Sequence, residues 1–284
     1  GLIHTSPPTG YYVDVFRSKS DLPNEYHDYI YRNLADTLTL QAGSKPIAFA
    51  PDTQRFQGSA AKEWSRNRAF RHPGWHFFER VETAQPQPGQ VLSGLFTANQ
   101  LGPTPVRMKL FINNPKGREY TRAVSPVSKE VARPYAETKI PTLVIRQKGE
   151  AWQHPFAVVY EPYTTEEGSV ESVEDIVQDD VFKGLKITSR PEGKTIVQYV
   201  IVADTAAARF EDKETGISFT GRYGVITVSP QGQLLSVYVG EGSGFRFGKA
   251  RIDSDKEGSF SAFVDFSSGS ARLSGPDHVR VTQP

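Results

Sequence analysis

The chain has 284 residues, of which 37% are hydrophobic and none is cysteine. This length allows one large or two ordinary domains with hydrophobic cores, and the missing cysteine excludes disulfide bonds, thiolate zinc sites and cysteine nucleophiles. The 33 basic and 32 acidic residues nearly cancel, so the overall charge does not indicate a nucleic-acid-binding protein. We find neither an apolar run long enough for a membrane span nor the basic start and apolar block of a signal sequence.

Strand patterns follow one another along the chain, each an alternation of apolar and polar residues or a short apolar run. Turn residues separate them, as in the Asn-Pro-Lys-Gly sequence of residues 114–117. Segments this short and this frequent predict an all-β fold rather than alternating strands and helices. Residues 59–71 are a candidate helix with a polar, interrupted pattern. The predicted strands are residues 11–17, 25–32, 91–97, 106–112, 142–147, 157–160, 195–203, 217–220, 224–229, 234–240 and 259–266.

An acidic stretch divides the chain. Residues 161–180 contain eight Asp or Glu and no Lys or Arg. Because residues 164–180 offer little to bury before Ile176, we predict a loop or linker there. The predicted architecture is therefore a large antiparallel β-sandwich over residues 1–163 and a smaller C-terminal β-region over residues 175–284, packed together.

The strand at residues 25–33 carries the first group of candidate functional residues. In an extended strand, His27, Tyr29 and Tyr31 face one way while Tyr26 and Asp28 face the other. A histidine beside tyrosine hydroxyls predicts an acid–base pair or a wall that contacts sugar, so His27 and Tyr29 are weak catalytic candidates. The alternative is a sheet face on which the rings pack and their polar tips find hydrogen-bond partners.

A second group lies in residues 64–76, which contain two tryptophans, three arginines and two histidines. Arginine binds carboxylate or sulfate through two parallel hydrogen bonds, and an indole face stacks on the apolar face of a sugar. Single-stranded nucleic acid asks for similar groups, and loop tryptophans anchored in a core are a further alternative. The candidate ligand-binding residues are Trp64, Arg66, Arg68, Arg71, Trp75 and His76 of this segment, with Tyr31 of the strand before it.

Motifs for metal binding, cofactor binding and nucleophilic catalysis are weak. His72 and His76 have helical spacing, but Pro73 lies between them and no third ligand follows. The glycine-rich residues 240–244 lack the Lys-Ser/Thr and helix pattern of a phosphate-binding loop, so we predict a turn there. No Gly-x-Ser-x-Gly motif occurs in the sequence. We therefore predict neither a metal nor a cofactor.

Several segments, in this order, resemble the β-region of heparinase II/III-like polysaccharide lyases. The first is Tyr-Tyr-Val-Asp-Val-Phe-Arg at residues 11–17, followed by Tyr-His-Asp-Tyr at residues 26–29 and Tyr-Arg-Asn at residues 31–33. Residues of later strands that are similar to the family are 141–147, 155–162, 219–223 and 234–238. The similarity is patchy and is spread over most of the chain.

The resemblance implies a module of an enzyme that cleaves uronate-containing glycans by β-elimination. Such lyases have a helical toroid before the β-region, and that toroid supplies the catalytic tyrosine and the residue that neutralises the substrate carboxylate. An early His-x-His-x-Asp-like element supplies a histidine and a metal ligand. This sequence contains neither part, so the resemblance assigns no catalytic role to His27.

Three hypotheses follow. The first is a carbohydrate-binding or supporting β-module of a heparinase II/III-like protein, secreted or periplasmic, whose ligand is an acidic polysaccharide such as a glycosaminoglycan. The second is an active polysaccharide lyase that needs a helical domain or a partner chain. The third is a structural assembly module in which the aromatic clusters form an interface. The residues leave open whether the chain is an enzyme.

Overall fold

A computed structural model describes residues 10–22, 25–56, 77–131 and 133–283. The chain divides into two compact units, one of residues 11–168 and one made chiefly of residues 169–284. Within the described residues, no helix is long and apolar enough to cross a membrane. Short 3-10 turns occur at Tyr135–Glu137 and Pro191–Gly193.

Strands make up most of the described structure, and all of their pairings are antiparallel. The strands of the first unit are β1 Tyr12–Ser18, β2 Tyr26–Arg32, β3 Thr37–Ala42, β4 Lys45–Pro46, β5 Ala50–Pro51, β6 Glu79–Ala84, β7 Leu92–Ala98, β8 Val106–Ile112, β9 Glu119–Ser125, β10 Ile140–Lys148 and β11 Ala151–Tyr163. Those of the second unit are β12 Val170–Gln178, β13 Val181–Ser189, β14 Ile196–Val202, β15 Arg209–Asp212, β16 Ile217–Val228, β17 Leu234–Phe247, β18 Ala250–Ser254, β19 Phe260–Asp265, β20 Arg272–Ser274 and β21 Val279–Thr282.

The first unit is a β-sandwich. Sheet 1 has the strand order β1-β11-β8-β7-β3-β4, and sheet 2 has the order β2-β10-β9-β6-β5. Alternate residues of both sheets point inward and form one buried cluster, with Leu110 and Val158 from sheet 1 and Leu143 and Ile145 from sheet 2. The period-two pattern of the sequence arises because each strand buries one face in this core.

A buried arginine holds one end of the sandwich together. Arg118 is 1% exposed, and its Nε donates to Oε1 of Gln147 at 2.7 Å. One terminal nitrogen donates to the backbone and side-chain oxygens of Asn113, and the other to the backbone oxygens of His154 and Pro155. Each guanidinium nitrogen thus donates to neutral carbonyl or amide oxygens. These hydrogen bonds stabilise the buried charge, and none of these partners is a carboxylate.

The second unit is a ten-stranded sheet whose strands contribute to one buried cluster. The long strands β16 and β17 pair along their length, with a register shift between Thr220 and Gly221. At this shift a Cβ on Gly221 would lie 2.8 Å from the Cα of Gly242, so only glycine permits the close backbone approach. Strand β16 contributes Phe219 and strand β17 contributes Val237 to the same buried cluster.

The prediction of an all-β fold with a sandwich and a C-terminal β-region is confirmed. The prediction of a loop over residues 164–180 is wrong, since β12 occupies Val170–Gln178. This strand lies at an end of the strand order of its sheet and buries Val170 and Val173 while exposing Glu171 and Glu174. Glu171 and Glu174 are exposed on a strand, and a charge count alone does not distinguish such a strand from a loop.

The prediction of a turn at residues 240–244 is also wrong. These residues lie inside β17, where its pairing with β19 shifts between Val239 and Gly242. Their glycines make room for neighbouring groups: a Cβ on Gly240 would lie 2.2 Å from the ring of Tyr223. Glycine inside a strand pattern therefore indicates a bulge with close packing here.

Candidate functional site

The predicted ligand-binding segment is not placed by the structure. Residues 57–76 lie outside the described residues. The set concerned is Trp64, Arg66, Arg68, Arg71, Trp75 and His76, together with His72 and the candidate helix at 59–71. Their assignment as ligand contacts stays a prediction.

The three residues of β2 that were singled out, His27, Tyr29 and Tyr31, face the interior of the sandwich. Tyr31 packs on Tyr160 with ring centroids 4.6 Å apart. His27 is 9% exposed, and its Nδ1 lies 2.7 Å from Oγ of Ser18 on β1. Strands β1 and β2 are the terminal strands of the two sheets, so these contacts join the sheets at one edge of the sandwich.

The phenol of Tyr29 belongs to a hydrogen-bonded chain at that edge. Its hydroxyl donates to Oδ2 of Asp14 at 2.6 Å and also contacts the hydroxyl of Tyr160. Burial, followed by the hydrogen bond to Asp14, raises the pKa of Tyr29, and burial also raises the pKa of Tyr160. Raised pKa values keep both phenols protonated at neutral pH, which favours hydrogen bonding and disfavours proton abstraction by a tyrosinate.

The opposite side of sheet 2 carries a cluster that the sequence did not reveal. We call it the arginine–aromatic face, and it consists of Tyr26, Asp28, Ile30, Arg32, Arg55, Phe56, Phe78, Glu119 and Arg146. Tyr26, Asp28 and Arg32 are alternate residues of β2 that point away from the sandwich core. Phe56 and Phe78 pack on the residues of β9 and β10 that point to the same side. The face therefore combines aromatic surface with three arginines.

Arg146 is fixed at the centre of this face. Its Nε and one terminal nitrogen donate to the two carboxylate oxygens of Asp28 at 2.7 and 2.9 Å. The guanidinium carbon lies 4.9 Å from the ring centroid of Tyr26 and 5.6 Å from that of Phe56. A bidentate ion pair between two aromatic rings is a rigid arrangement, because both the planar guanidinium and the carboxylate have one preferred geometry.

Arg55 brings a second guanidinium beside the first. It forms an ion pair with Glu119 and lies 5.1 Å from the ring of Phe56. Burial lowers the pKa of Arg55 most, and the nearby charge of Arg146 lowers it further. Because Glu119 and Asp28 pair with Arg55 and Arg146, these four charges cancel, and the third arginine of the face, Arg32, leaves it with one excess positive charge that favours an anionic ligand.

The rim of the face is open to solvent. Tyr26 is 56% exposed and Ile30 is 40% exposed. The exposed Arg32 lies over the ring of Phe78 at 5.7 Å. Phe56 and Phe77 are the described residues on either side of segment 57–76, so the predicted ligand-binding segment is joined at both of its ends to chain that lies at or next to this face.

Sequence reasoning selected the inward half of β2 and missed its outward half. Tyr26, Asp28 and Arg32 belong to the same strand, but nothing in a single strand tells which parity faces the core when both carry aromatic rings. Arg146 is the one charged residue in the predicted apolar strand at residues 142–147. A single charge in such a strand could have indicated a candidate functional residue. Within the described ranges, no group of three or more His, Asp or Glu side chains could hold a metal ion.

Two comparisons with known proteins point to polysaccharide lyases. Residues 170–266 match a family model described as the endo-acting ulvan lyase C-terminal domain. The chain is also 32% identical over 253 residues to an endo-acting ulvan lyase of Formosa agariphila, covering 89% of this chain and 30% of the relative. The chain thus spans about a third of the length of the curated relative that it matches.

The comparisons support a likeness to a polysaccharide lyase and name ulvan in both cases. Neither names a heparinase II/III-like protein, so that finer resemblance stays a prediction. No solved structure matches the chain.

Proposed function

We propose that this chain is a polysaccharide-binding β-module of a lyase and that its ligand is an acidic polysaccharide such as ulvan. The observation that carries the proposal is the arginine–aromatic face, where Arg146 is clamped by Asp28 beside the exposed ring of Tyr26. The likeness to an ulvan lyase supports the choice of ligand. Because polysaccharides of this kind lie outside cells, the module works extracellularly or in the periplasm.

The residues of the face divide between support and contact. Asp28 and Glu119 pair with Arg146 and Arg55, so these four side chains hold the rings in place while their charges cancel. The exposed Arg32 is placed to donate hydrogen bonds to a carboxylate or sulfate. The exposed ring of Tyr26 offers an apolar surface to the C–H face of a sugar.

The predicted segment extends this surface in our proposal. Its arginines would bind further anionic groups of the polysaccharide, and its two tryptophans would stack on sugar rings. The residues concerned are Trp64, Arg66, Arg68, Arg71, Trp75 and His76. Tyr31, which packs on Tyr160, would act indirectly by holding β2 in place.

Binding of ulvan oligosaccharides, measured by calorimetry at low salt and near 1 M salt, tests the proposal. At low salt, Arg32→Ala is expected to weaken binding about five- to tenfold relative to the wild type. Near 1 M salt, the variant and the wild type are expected to bind with similar affinity, because charge contacts are screened in both. Tyr12→Ala is the matched control, because Tyr12 is 68% exposed and lies on β1 of the other sheet. Equal affinity of Arg32→Ala and the control would exclude this face as the binding surface.

A second candidate function is an active lyase in which another domain supplies the catalytic groups. The coverage of 30% of an endo-acting ulvan lyase favours this possibility. β-Elimination produces an unsaturated uronate that absorbs in the ultraviolet, so the full-length protein would raise the absorbance of an ulvan solution. His27→Ala in that protein is expected to leave the rate unchanged if His27 is structural. A loss of rate with intact folding would give His27 a part in catalysis.

A further inference from the structure

The second unit carries an exposed aromatic surface on the side of its sheet that faces away from the buried cluster. Tyr223 of β16 pairs with Gly240 of β17, and Tyr238 of β17 pairs with Phe263 of β19. Residues directly opposite in an antiparallel sheet share a face. The neighbours Val237, Val239 and Val264 lie in the core, so Tyr223, Tyr238 and Phe263 point outward together. We call these three residues the aromatic platform.

Two rings of the platform, those of Tyr223 and Tyr238, are held in place by packing and a hydrogen bond. The rings of Tyr223 and Tyr238 have centroids 5.8 Å apart at an interplanar angle of 31°. A hydrogen bond with Tyr238 is the first cause of a raised pKa of Tyr223. The ring of Tyr223 lies over Gly240, where a Cβ would be 2.2 Å away. A ring fixed in this way loses little entropy when a ligand stacks on it.

The platform is nevertheless open. Tyr223 is 37% exposed and Phe263 is 42% exposed. The position of Tyr223 is explained by packing, because its ring covers Gly240 and aromatic rings commonly cover glycines in strands. That explanation does not extend to Phe263, whose partner across the strand is Tyr238 and which leaves two-fifths of its surface in water. Phe263 is thus the residue that packing accounts for least.

Hydroxyl and charged groups surround the rings on the same face. Ser274 pairs with Phe263, and Arg272 pairs with Asp265, two residues further along each strand. Ser236 pairs with Asp265 on the other side. The surface therefore offers apolar rings on three neighbouring strands, with hydrogen-bond donors and acceptors at their edges.

We propose that the aromatic platform is a second saccharide-binding subsite that stacks on the C–H face of pyranose rings of the same polysaccharide. This inference rests on the proposed function. A pyranose has an apolar face of C–H groups and a rim of hydroxyls, which matches rings surrounded by serine hydroxyls. Arg272 at the edge can pair with a carboxylate or sulfate of the sugar, and Asp265 beside it can accept a hydroxyl hydrogen bond.

The two surfaces differ in their dependence on salt. Binding to the arginine–aromatic face depends on charge and weakens as salt is added, whereas stacking of a sugar on a ring is nearly independent of salt. A chain that binds through both surfaces retains a salt-resistant part of its affinity. The aromatic platform contributes to that part, as does the exposed ring of Tyr26 in the arginine–aromatic face.

The test measures calorimetric binding of ulvan oligosaccharides to the full chain at low salt and near 1 M salt. Phe263→Ala is expected to weaken binding about tenfold at both salt concentrations. Leu273→Ala is the matched control: Leu273 is 38% exposed and pairs with Val264, so it belongs to the opposite side of the sheet. In a labelled sample, the ring resonances of Phe263 are expected to shift with added ligand.

Each outcome separates the two proposals. If Phe263→Ala binds like Leu273→Ala while Arg32→Ala is impaired, the platform is excluded and the proposed function stands. If Phe263→Ala is impaired while Arg32→Ala is not, the platform is the binding surface and the arginine–aromatic face is not. A wild-type chain that binds no ulvan at either salt concentration overturns both.

Discussion

Two pairs of tyrosines, one in each unit, use the same chemistry in opposite settings. The hydroxyls of Tyr29 and Tyr160 meet inside the sandwich edge, where Tyr160 is 7% exposed. Tyr223 and Tyr238 form their pair on the outside of the second unit, with Tyr223 at 37% exposure. The first pair stabilises the joint between two sheets, and the second leaves ring surface for a ligand.

The difference shows that a dense aromatic sequence is a poor guide to a binding surface. Tyr29 lies among three aromatic or histidine neighbours in residues 26–31, yet its ring stacks on Phe156 in the interior at 5.7 Å. Tyr223 stands between arginine and glycine in the sequence, with far fewer aromatic neighbours. Both strands carry rings on two faces and bury one set: β2 turns Tyr29 and Tyr31 toward the core, and β16 buries Phe219 while Tyr223, beside glycine, stays on the outer side.

The largest expected effect compares an interior arginine with a surface one. Arg118→Met is expected to lower the free energy of unfolding by at least about 3 kcal/mol, because several buried oxygens lose their donor. Arg222→Met removes a surface ion pair with Glu241 whose side chains are 47% and 51% exposed, and is expected to cost less than about 1 kcal/mol. Urea denaturation of both variants gives the comparison.

An Arg118→Met variant as stable as the wild type would show that the buried oxygens find other partners. Arg118→Lys tests the geometry separately. Lysine keeps the charge but cannot reach acceptors on three sides of a planar group, so we expect most of the loss to remain.

The next largest effect compares the two tyrosine pairs. Tyr29→Phe removes a hydroxyl that contacts both Asp14 and Tyr160, and is expected to lower the free energy of unfolding by about 1–2 kcal/mol. Tyr238→Phe, on the open surface, is expected to change it by less than about 0.5 kcal/mol because water replaces the lost partner. Equal losses would contradict the distinction between a structural pair and an exposed one.

Alkaline pH gives a third comparison, through phenols that are buried in the sandwich. Burial, with a hydrogen bond to Asp36, raises the pKa of Tyr135 to about 12. Because the unfolded chain releases this proton near pH 10, the stability contributed by the neutral phenol is present below pH 10 and is lost as pH rises from 10 toward 12. Tyr135→Phe is expected to flatten the fall in unfolding free energy over this range. An unchanged slope would show that Tyr135 ionises normally.

The smallest expected effect concerns the aromatic platform. Phe263→Ala is expected to change the free energy of unfolding by less than about 0.5 kcal/mol, since the ring is 42% exposed and lies outside the core. Thermal unfolding of this variant beside Phe260→Ala, whose ring is 4% exposed, provides the contrast. A loss of similar size in both would mean that Phe263 is part of the packing.

Much of the fold could be predicted from local patterns. The predicted strand at residues 106–112 has the limits of β8, and the predicted strand at 91–97 differs from β7 by one residue at each end. These strands alternate clearly because one of their faces meets the core. The acidic β12 escaped prediction because its buried residues are few, and β17 was cut short because its glycines resemble a turn.

The candidate site could be predicted far less well than the fold. The alternation of β2 separates Tyr29 from Asp28 correctly, but it does not say which of them lies inside. Arg55, Arg146 and Glu119 come from three distant segments, and no local pattern brings them together. The same is true of Tyr223 and Phe263, which share a face of the sheet only because β17 pairs with both of their strands.

The sequence by itself determined that this protein is built from antiparallel strands. Period-two alternation and frequent turn residues are local signals, because each depends only on residues a few positions apart in the chain. Only the tertiary structure decided which face of each strand is buried and which side chains become neighbours. Register and sheet order set both, and they depend on pairings between residues that are far apart in the chain. For this reason the arginine–aromatic face and the aromatic platform are properties of the sheets rather than of any one segment.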